Sequence, residues 1–251
     1  MSKSDLAGKC PYAFGLRYVD KVPSKSGTHA KIGIAGHRVA ELVLKGDKPK
    51  EALAQSLAEY DDLTSKEQDK VTALLPAITT FYAKVQDFKH KQGVVDEFLE
   101  QQWAVDAQFN AVDWNSPDAF FRGIVDHALL TDKGYLIVID HKTGRRRPVD
   151  YYARQLDAYA VLAVAQMPEL KGVQGALHYV GAEAIDWYVM RKREVIDGVL
   201  RSSLVELLQR RAAGLGAYEP NPNYLCKWCD YLEKCDAGNE YVQLTKKKKK
   251  K

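Results

Sequence analysis

The chain has 251 residues, 46% of them hydrophobic and 28% charged, which is enough apolar content to bury a core. No apolar run approaches the roughly 18 residues of a membrane span, and "MSKSDLAGKCPYAF" at the start lacks a signal-peptide core, so no membrane span and a cytoplasmic protein are expected. The net charge of +4 comes from six terminal lysines, Lys246 to Lys251; without them Lys+Arg falls from 37 to 31 against 33 Asp+Glu, or −2, so any nucleic-acid contact must come from a local basic stripe.

In chain order, residues 9–20 predict an amphipathic helix, with Tyr12, Leu16 and Val19 at helical spacing. Residues 21–31, with Pro23 and Gly27, read as a loop. Helices are predicted over 33–45, 49–60 and 65–91, with Pro76 as a kink or break in the last. The pattern then changes to segments rich in Val, Ile and aromatics: strands at 94–105, 119–130 and 134–142, the last two joined by the hairpin signal "TDKG". A helix at 149–167 starts after Pro148, two strands flank Gly181, and a long helix fills 192–213 before glycines 214 and 216. Residues 218–239 read as loop, and 246–251 as a disordered, solvated tail. This order predicts an α/β (α+β) fold: one compact domain with a small mixed sheet flanked by helices, and residues 30–92 as a helical elaboration.

Three features carry chemistry. In "VIDHKTG" (138–144), Asp140 and Lys142 share one face of a strand. Asp126 sits as far before the predicted turn as Asp140 sits after it, so a hairpin sets the two carboxylates level. Like charges brought together favour a divalent cation with oxygen ligands, to which the His141 carbonyl can add. D-x-K by itself is common and reads as a solvent-facing strand end. "GIAGHRVAE" places Gly33, His37 and Glu41 on one helical face, and an imidazole beside two carboxylates suits Mn²⁺ better than Mg²⁺. On the helix after the motif, Tyr152, Gln155 and Tyr159 share a face that can stack on a base or simply pack. Arg145, Arg146 and Arg147 form a basic cluster able to meet phosphates, or a charged loop.

The third feature is cysteine spacing. Cys226, Cys229 and Cys235 form C-x₂-C-x₅-C, and Cys10 is the only other cysteine. Joining Cys10 to this array clasps the two ends, and loop-closure entropy grows slowly enough with length to permit it. A cytoplasmic setting disfavours two disulfides; zinc and an iron–sulfur cluster both suit four thiolates.

Taken together these residues resemble the PD-(D/E)XK nuclease superfamily, RecB-like branch, and within it the CRISPR-associated RecB-like iron–sulfur exonucleases and the AddB-type nuclease domains. "CPYAFGLRYV" is similar to the opening helix with its cluster cysteine, "GIAGHRVAE" to the segment with the metal-binding histidine, and "GIVDHALL" to the G-x-x-D strand. "VIDHKTG" resembles the acidic–x–Lys motif, "QLDAYA" the Q-x-x-x-Y motif and "CKWCDYLEKC" the terminal cysteine array. The six occur in family order over nearly the whole chain.

The resemblance implies a restriction-endonuclease-like core, with residues 1–245 as one nuclease domain whose 218–239 segment clasps Cys10. It implies a metal-dependent DNA exonuclease acting on single strands or ends. Asp126, Asp140 and Lys142 are then catalytic, and His37, Asp126, Asp140, the His141 carbonyl and Glu100 hold Mn²⁺ or Mg²⁺. Cys10, Cys226, Cys229 and Cys235 hold a [4Fe–4S] cluster, with zinc as the alternative, and Gln155 and Tyr159 contact DNA; Tyr152, on their face, and the basic cluster Arg145–Arg147 add to that contact by their place beside the motif. Recombination or CRISPR-adaptation proteins are candidate partners, and oligomers occur among such proteins. Residues 47–92 match none of the family motifs. A competing expectation of another class is a metal-clasped nucleic-acid-binding module without catalysis.

Overall fold

The computed structural model describes residues 10–20, 22–23, 28–212 and 218–248. Helices α1 (Pro11–Phe14), α2 (Thr28–Leu44), α3 (Pro49–Glu59), α4 (Ser65–Thr72) and α5 (Leu75–Gln92) precede strands β1 (Val94–Val105), β2 (Ala111–Val112), β3 (Phe121–Thr131) and β4 (Tyr135–Lys142). Helix α6 (Ala153–Gln166), strands β5 (Gly172–Tyr179) and β6 (Ala184–Lys192), and helices α7 (Arg201–Ala212) and α8 (Asp236–Lys248) follow. The chain divides into two compact units: residues 26–201, and residues 1–25 together with 202–251.

The larger unit is built on a mixed sheet of order β2-β1-β3-β4-β5-β6. Strands β1, β3 and β4 form an antiparallel meander. The β3–β4 turn is the predicted one: the Gly134 N–H donates to the Thr131 carbonyl at 3.0 Å, and Gly134 has φ +78°. Strand β5 is parallel to β4, a pairing that needs a crossover, and helix α6 supplies it. Nine residues of α6, from Gln155 to Val164, are buried, as expected for a helix lying on a sheet. At Gly175 a Cβ would come 3.2 Å from Leu156 Cβ, so the missing side chain lets α6 approach β5 closely. Helix α5 packs Phe81 and Val85 on Leu129, Ile137, Ile139 and Ala176.

Helices α2–α5 also form a core of their own around Ala35, Val39, Val43, Ala52, Val71 and Ile78. Local sequence sets their limits. The Glu67 carboxylate reaches back to the Thr64 N–H at 2.8 Å, starting α4. Pro76 does not kink a continuous helix. The chain breaks at Ala73 and Leu74, and Pro76 sits in the first turn of α5, where a missing N–H costs nothing. Helix α5 ends at Gly93 in the left-handed conformation (φ +61°), where a Cβ would collide with the Asp132 carboxylate at 2.8 Å.

In the smaller unit, the Tyr12 hydroxyl donates to the Lys234 carbonyl at 3.1 Å and the Tyr231 hydroxyl to the Val22 carbonyl at 3.1 Å. Three departures from expectation stand out. The segment 218–239 holds two 3-10 turns and the start of α8. Lys246, Lys247 and Lys248 extend α8 rather than forming a disordered tail; residues 249–251 lie outside the described residues. So do glycines 214 and 216 and Gly27, while the 21–31 loop gives way to α2 at Thr28. Among the described residues no helix is long and apolar enough to cross a membrane.

Candidate active site

Strands β3 and β4 pair up to His127 opposite Ile139. One step further the same register sets Asp126 opposite Asp140, and there the carboxylate replaces the ladder: Asp126 Oδ2 accepts the His141 N–H at 2.9 Å. Both acids are buried, with 6% and 2% exposure. On the other side, the β1–β3 register runs through Leu99 opposite His127 and Gln101 opposite Val125, so Glu100 stands level with Asp126. Glu100 has φ +47°, a left-handed conformation that costs a non-glycine residue about 1–3 kcal/mol.

Helix α2 completes the group. His37 Nδ1 lies 3.5 Å from Asp126 Oδ2 and 3.9 Å from Glu100 Oε1. Ligand atoms of His37, Glu100 and Asp126 all lie within 4.8 Å of one another. Burial alone would lower the His37 pKa, but the Asp126 charge, the Glu100 hydrogen bond and the Asp140 charge outweigh it and push the imidazole up to about 9. Helix α2 comes close because its facing residues are small. A Cβ on Gly33 would meet Thr143 Oγ1 at 3.5 Å, and one on Gly36 would meet Leu74 Cδ1 at 2.9 Å and Thr143 Cγ2 at 3.2 Å. Glu41, one turn beyond His37, is not in the site; it pairs with Arg38 at 2.8 Å and Lys45 at 2.6 Å.

Asp140 is held from the other side. The Tyr159 hydroxyl donates to Asp140 Oδ1 at 3.0 Å, the Gln155 amide donates to the same oxygen, and Lys142 Nζ pairs with Oδ2. Lys142 Nζ also donates to Gln155 Oε1 at 3.2 Å, so one amide joins acid and lysine. Gln155 and Tyr159 are therefore turned inward, at 8% and 0% exposure, and organise Asp140. Tyr152 does face the lysine: Lys142 Nζ lies 4.5 Å from its ring centre. Arg146 forms a two-point pair with Asp186 on β6, one contact at 2.9 Å. The Arg147 main chain is bound by Tyr179, and Arg145 is exposed.

Behind the acids lie His127, His178 and Glu97, which the motif reading did not single out. The His141 ring points to the opposite face, with Nδ1 2.9 Å from His178 Nδ1. His127 stacks near it at 6.0 Å and contacts Glu97 at 2.9 Å; Glu97 in turn pairs with Lys89 at 2.6 Å. Phe81 stacks on His178 with ring centres 3.8 Å apart. Burial, and next the neighbouring His178, hold His141 well below its usual pKa; burial and His127 bring His178 down to about 4. A sequence signal existed: "VDH" and "IDH" on adjacent strands put acids on one face and imidazoles on the other.

The decisive comparison is with protein families: a model described as the PD-(D/E)XK nuclease superfamily matches residues 1–236. The chain belongs to this superfamily. Its mixed sheet with flanking helices is the restriction-endonuclease-like core expected of a PD-(D/E)XK protein. Among solved structures it is similar to the protein SSO0001, at 15% identity and TM-score 0.45, over 95% of this chain and 86% of that one. It is also similar to a candidate exonuclease from Eubacterium rectale, at 13% identity and TM-score 0.48, over 92% and 87%. No curated protein matches the chain. PD-(D/E)XK chemistry uses divalent metal, and one imidazole with two carboxylates is a hard nitrogen and oxygen donor set that fits such an ion.

Proposed function

We propose that this PD-(D/E)XK protein is a divalent-metal-dependent exonuclease of the RecB-like branch, hydrolysing phosphodiester bonds in single-stranded DNA or at DNA ends. The observation that carries this reading is the convergence of His37, Glu100 and Asp126 beside the Asp140–Lys142 pair. A bound Mn²⁺ or Mg²⁺ polarises the scissile phosphate and lowers the pKa of water. The chain's own residues do the rest. His37, Glu100, Asp126 and Asp140, with the His141 carbonyl, form the ligand set. Lys142, fixed between Asp140 and Gln155, orients the attacking water and offsets negative charge on the phosphate. Tyr159 and Gln155 hold Asp140 in place. Arg145 and Arg147 meet the strand's phosphates.

In the smaller unit we assign Cys10, Cys226, Cys229 and Cys235 to a structural [4Fe–4S] cluster, with zinc as the competing ion, and treat 1–245 as one nuclease domain. Support comes from main-chain donors aimed at the sulfurs. Asn221 N–H lies 3.4 Å from Cys10 Sγ, Asn223 N–H 3.3 Å from Cys226 Sγ and Gly238 N–H 3.3 Å from Cys235 Sγ. Such bonds stabilise thiolate ligands. Burial, and then the neighbouring Cys10 and Cys226, raise the Cys229 thiol.

The test is cleavage of end-labelled single- and double-stranded DNA with Mn²⁺ by anaerobically purified protein. Wild type should degrade DNA and Asp140→Ala should not; equal degradation by both removes the active-site assignment. An absorption band near roughly 400 nm with bound iron supports the cluster, and a colourless zinc-loaded protein replaces it.

A further inference from the structure

The loop between β4 and α6 is held more firmly than a solvated basic loop needs. The Tyr179 hydroxyl, fully buried at the end of β5, donates to the Arg147 carbonyl at 2.8 Å and accepts the Arg147 N–H at 3.1 Å. Arg146 is tied to Asp186 on the next strand. Beyond this fixed point Pro148 starts a 3-10 turn, Val149–Tyr152, and the Tyr151 N–H closes it on the Pro148 carbonyl at 3.0 Å.

What the turn presents is an aromatic step leading away from the lysine. Lys142 Nζ lies over Tyr152, and Tyr151 meets Tyr152 edge-on, with centres 4.9 Å apart at 75°. Tyr151 is 45% exposed, and the Arg147 guanidinium carbon lies 5.7 Å from its ring centre. An exposed ring with a cation at its side and a second cation one ring nearer the acids offers a π-face and phosphate contacts together. A base inside a duplex has both faces covered by its neighbours, so only an unstacked base can lie on such a ring.

We propose that Tyr151, braced by Tyr152 and flanked by Arg147, is the shelf on which an unpaired base of a DNA strand stacks beside the Asp140–Lys142 site, and so the residue that favours single-stranded over duplex substrate. This deepens the nuclease reading and rests on it for the identity of the ligand. Tyr179 and Asp186 act as positioning residues, ordering the loop before DNA arrives, so little ordering is left for binding to supply.

The test is fluorescence anisotropy of the full chain with labelled single-stranded oligonucleotides in EDTA, where no cleavage is expected. Y151L should weaken binding by about tenfold, the value of one aromatic–base stack, and Y151F, which keeps the ring, should restore it. Moving a single abasic site along the oligonucleotide should reveal one position where losing the base weakens wild type by a similar factor but adds nothing in Y151L, the signature of two groups in contact. Affinity for blunt duplex should change less than about twofold. Wild-type affinity in Y151L, equal losses on duplex and single strand, or abasic and Y151L losses that multiply at every position would each overturn the proposal. Absence of Mn²⁺-dependent cleavage by wild type would sink the nuclease reading while leaving these binding measurements to decide the shelf.

Discussion

Asp126 accepts the main-chain N–H of His141 at 2.9 Å, so one strand's carboxylate fixes the backbone next to the other strand's Asp140. The carboxylate has two oxygens. Oδ2 takes this bond and is also the oxygen that lies 3.5 Å from His37 Nδ1. Asp126→Ala should therefore weaken Mn²⁺ binding by at least about tenfold and cleavage by at least about a hundredfold. Isothermal titration and single-turnover cleavage read the two effects. Undiminished Mn²⁺ affinity in this variant would remove Asp126 from the ligand set.

Gln155 should separate from that pattern. It touches Asp140 and Lys142 and is absent from the His37–Glu100–Asp126 group. Gln155→Ala should slow cleavage by roughly 10–100-fold while changing Mn²⁺ affinity less than Asp126→Ala does. A KM effect alone, with unchanged kcat, would instead mark Gln155 as a substrate contact.

The two α2 glycines make a paired prediction. Gly36→Ala forces a Cβ to 2.9 Å from Leu74 and 3.2 Å from Thr143, whereas Gly33→Ala meets Thr143 at an ordinary 3.5 Å. The first should cost about 1–3 kcal/mol and loosen His37 from Asp126, lowering Mn²⁺ affinity. The second should stabilise by roughly 0.5–1 kcal/mol, because it fills ordinary space in a helix interior, and leave Mn²⁺ affinity unchanged. Denaturant titration with calorimetric Mn²⁺ binding checks the contrast.

Buried neutral imidazoles set an acid limit. His178, brought down to about 4 from an ordinary 6.5, binds protons less readily folded than unfolded. Its contribution is intact above about 6.5 and is lost as pH falls from there towards 4. His141, also lowered, acts in the same direction. For His178 the loss at pH 5 relative to neutral pH is on the order of 2 kcal/mol. Urea midpoints at pH 7 and pH 5 should show a drop that shrinks in His178→Phe; an equal drop in both would acquit His178.

Replacing Cys229 by Ser should remove iron, or zinc, from the purified protein and lower the melting temperature. The cation affinity of the His37 group should be spared, because its ligands lie in the larger unit. Metal analysis, melting curves and Mn²⁺ titration would show it. Full metal retention in the variant would take Cys229 out of the clasp.

Periodicity made β1, β3, β4 and the crossover helix legible, because alternating and helical patterns follow from burial of one face. The level placement of Asp126 and Asp140 followed from hairpin symmetry alone. The direction of α6 did not. Tyr152, Gln155 and Tyr159 share a face, but whether that face meets solvent or the strand beneath depends on how the crossover packs. Gln155 and Tyr159 turned out to serve Asp140. Tyr151 escaped notice because helical counting fails in the 3-10 turn that carries it. Glu100 reaches the site through a φ that no propensity favours. Arg146 reads as a phosphate contact until its partner Asp186, far along the chain, is in view.

The parallel pairing of β4 with β5 has a consequence for how the protein is made. Asp140 emerges from the ribosome with its antiparallel neighbour already present. Its partners Gln155 and Tyr159 follow on the crossover, and β5, which aligns Lys142 with Tyr179, comes last. A nascent chain that has delivered Glu100, Asp126 and Asp140 is still without the clamp on Asp140 and the anchor on Arg147. The hold on Asp140 thus closes only with the crossover, after the three strands that carry the acids are complete.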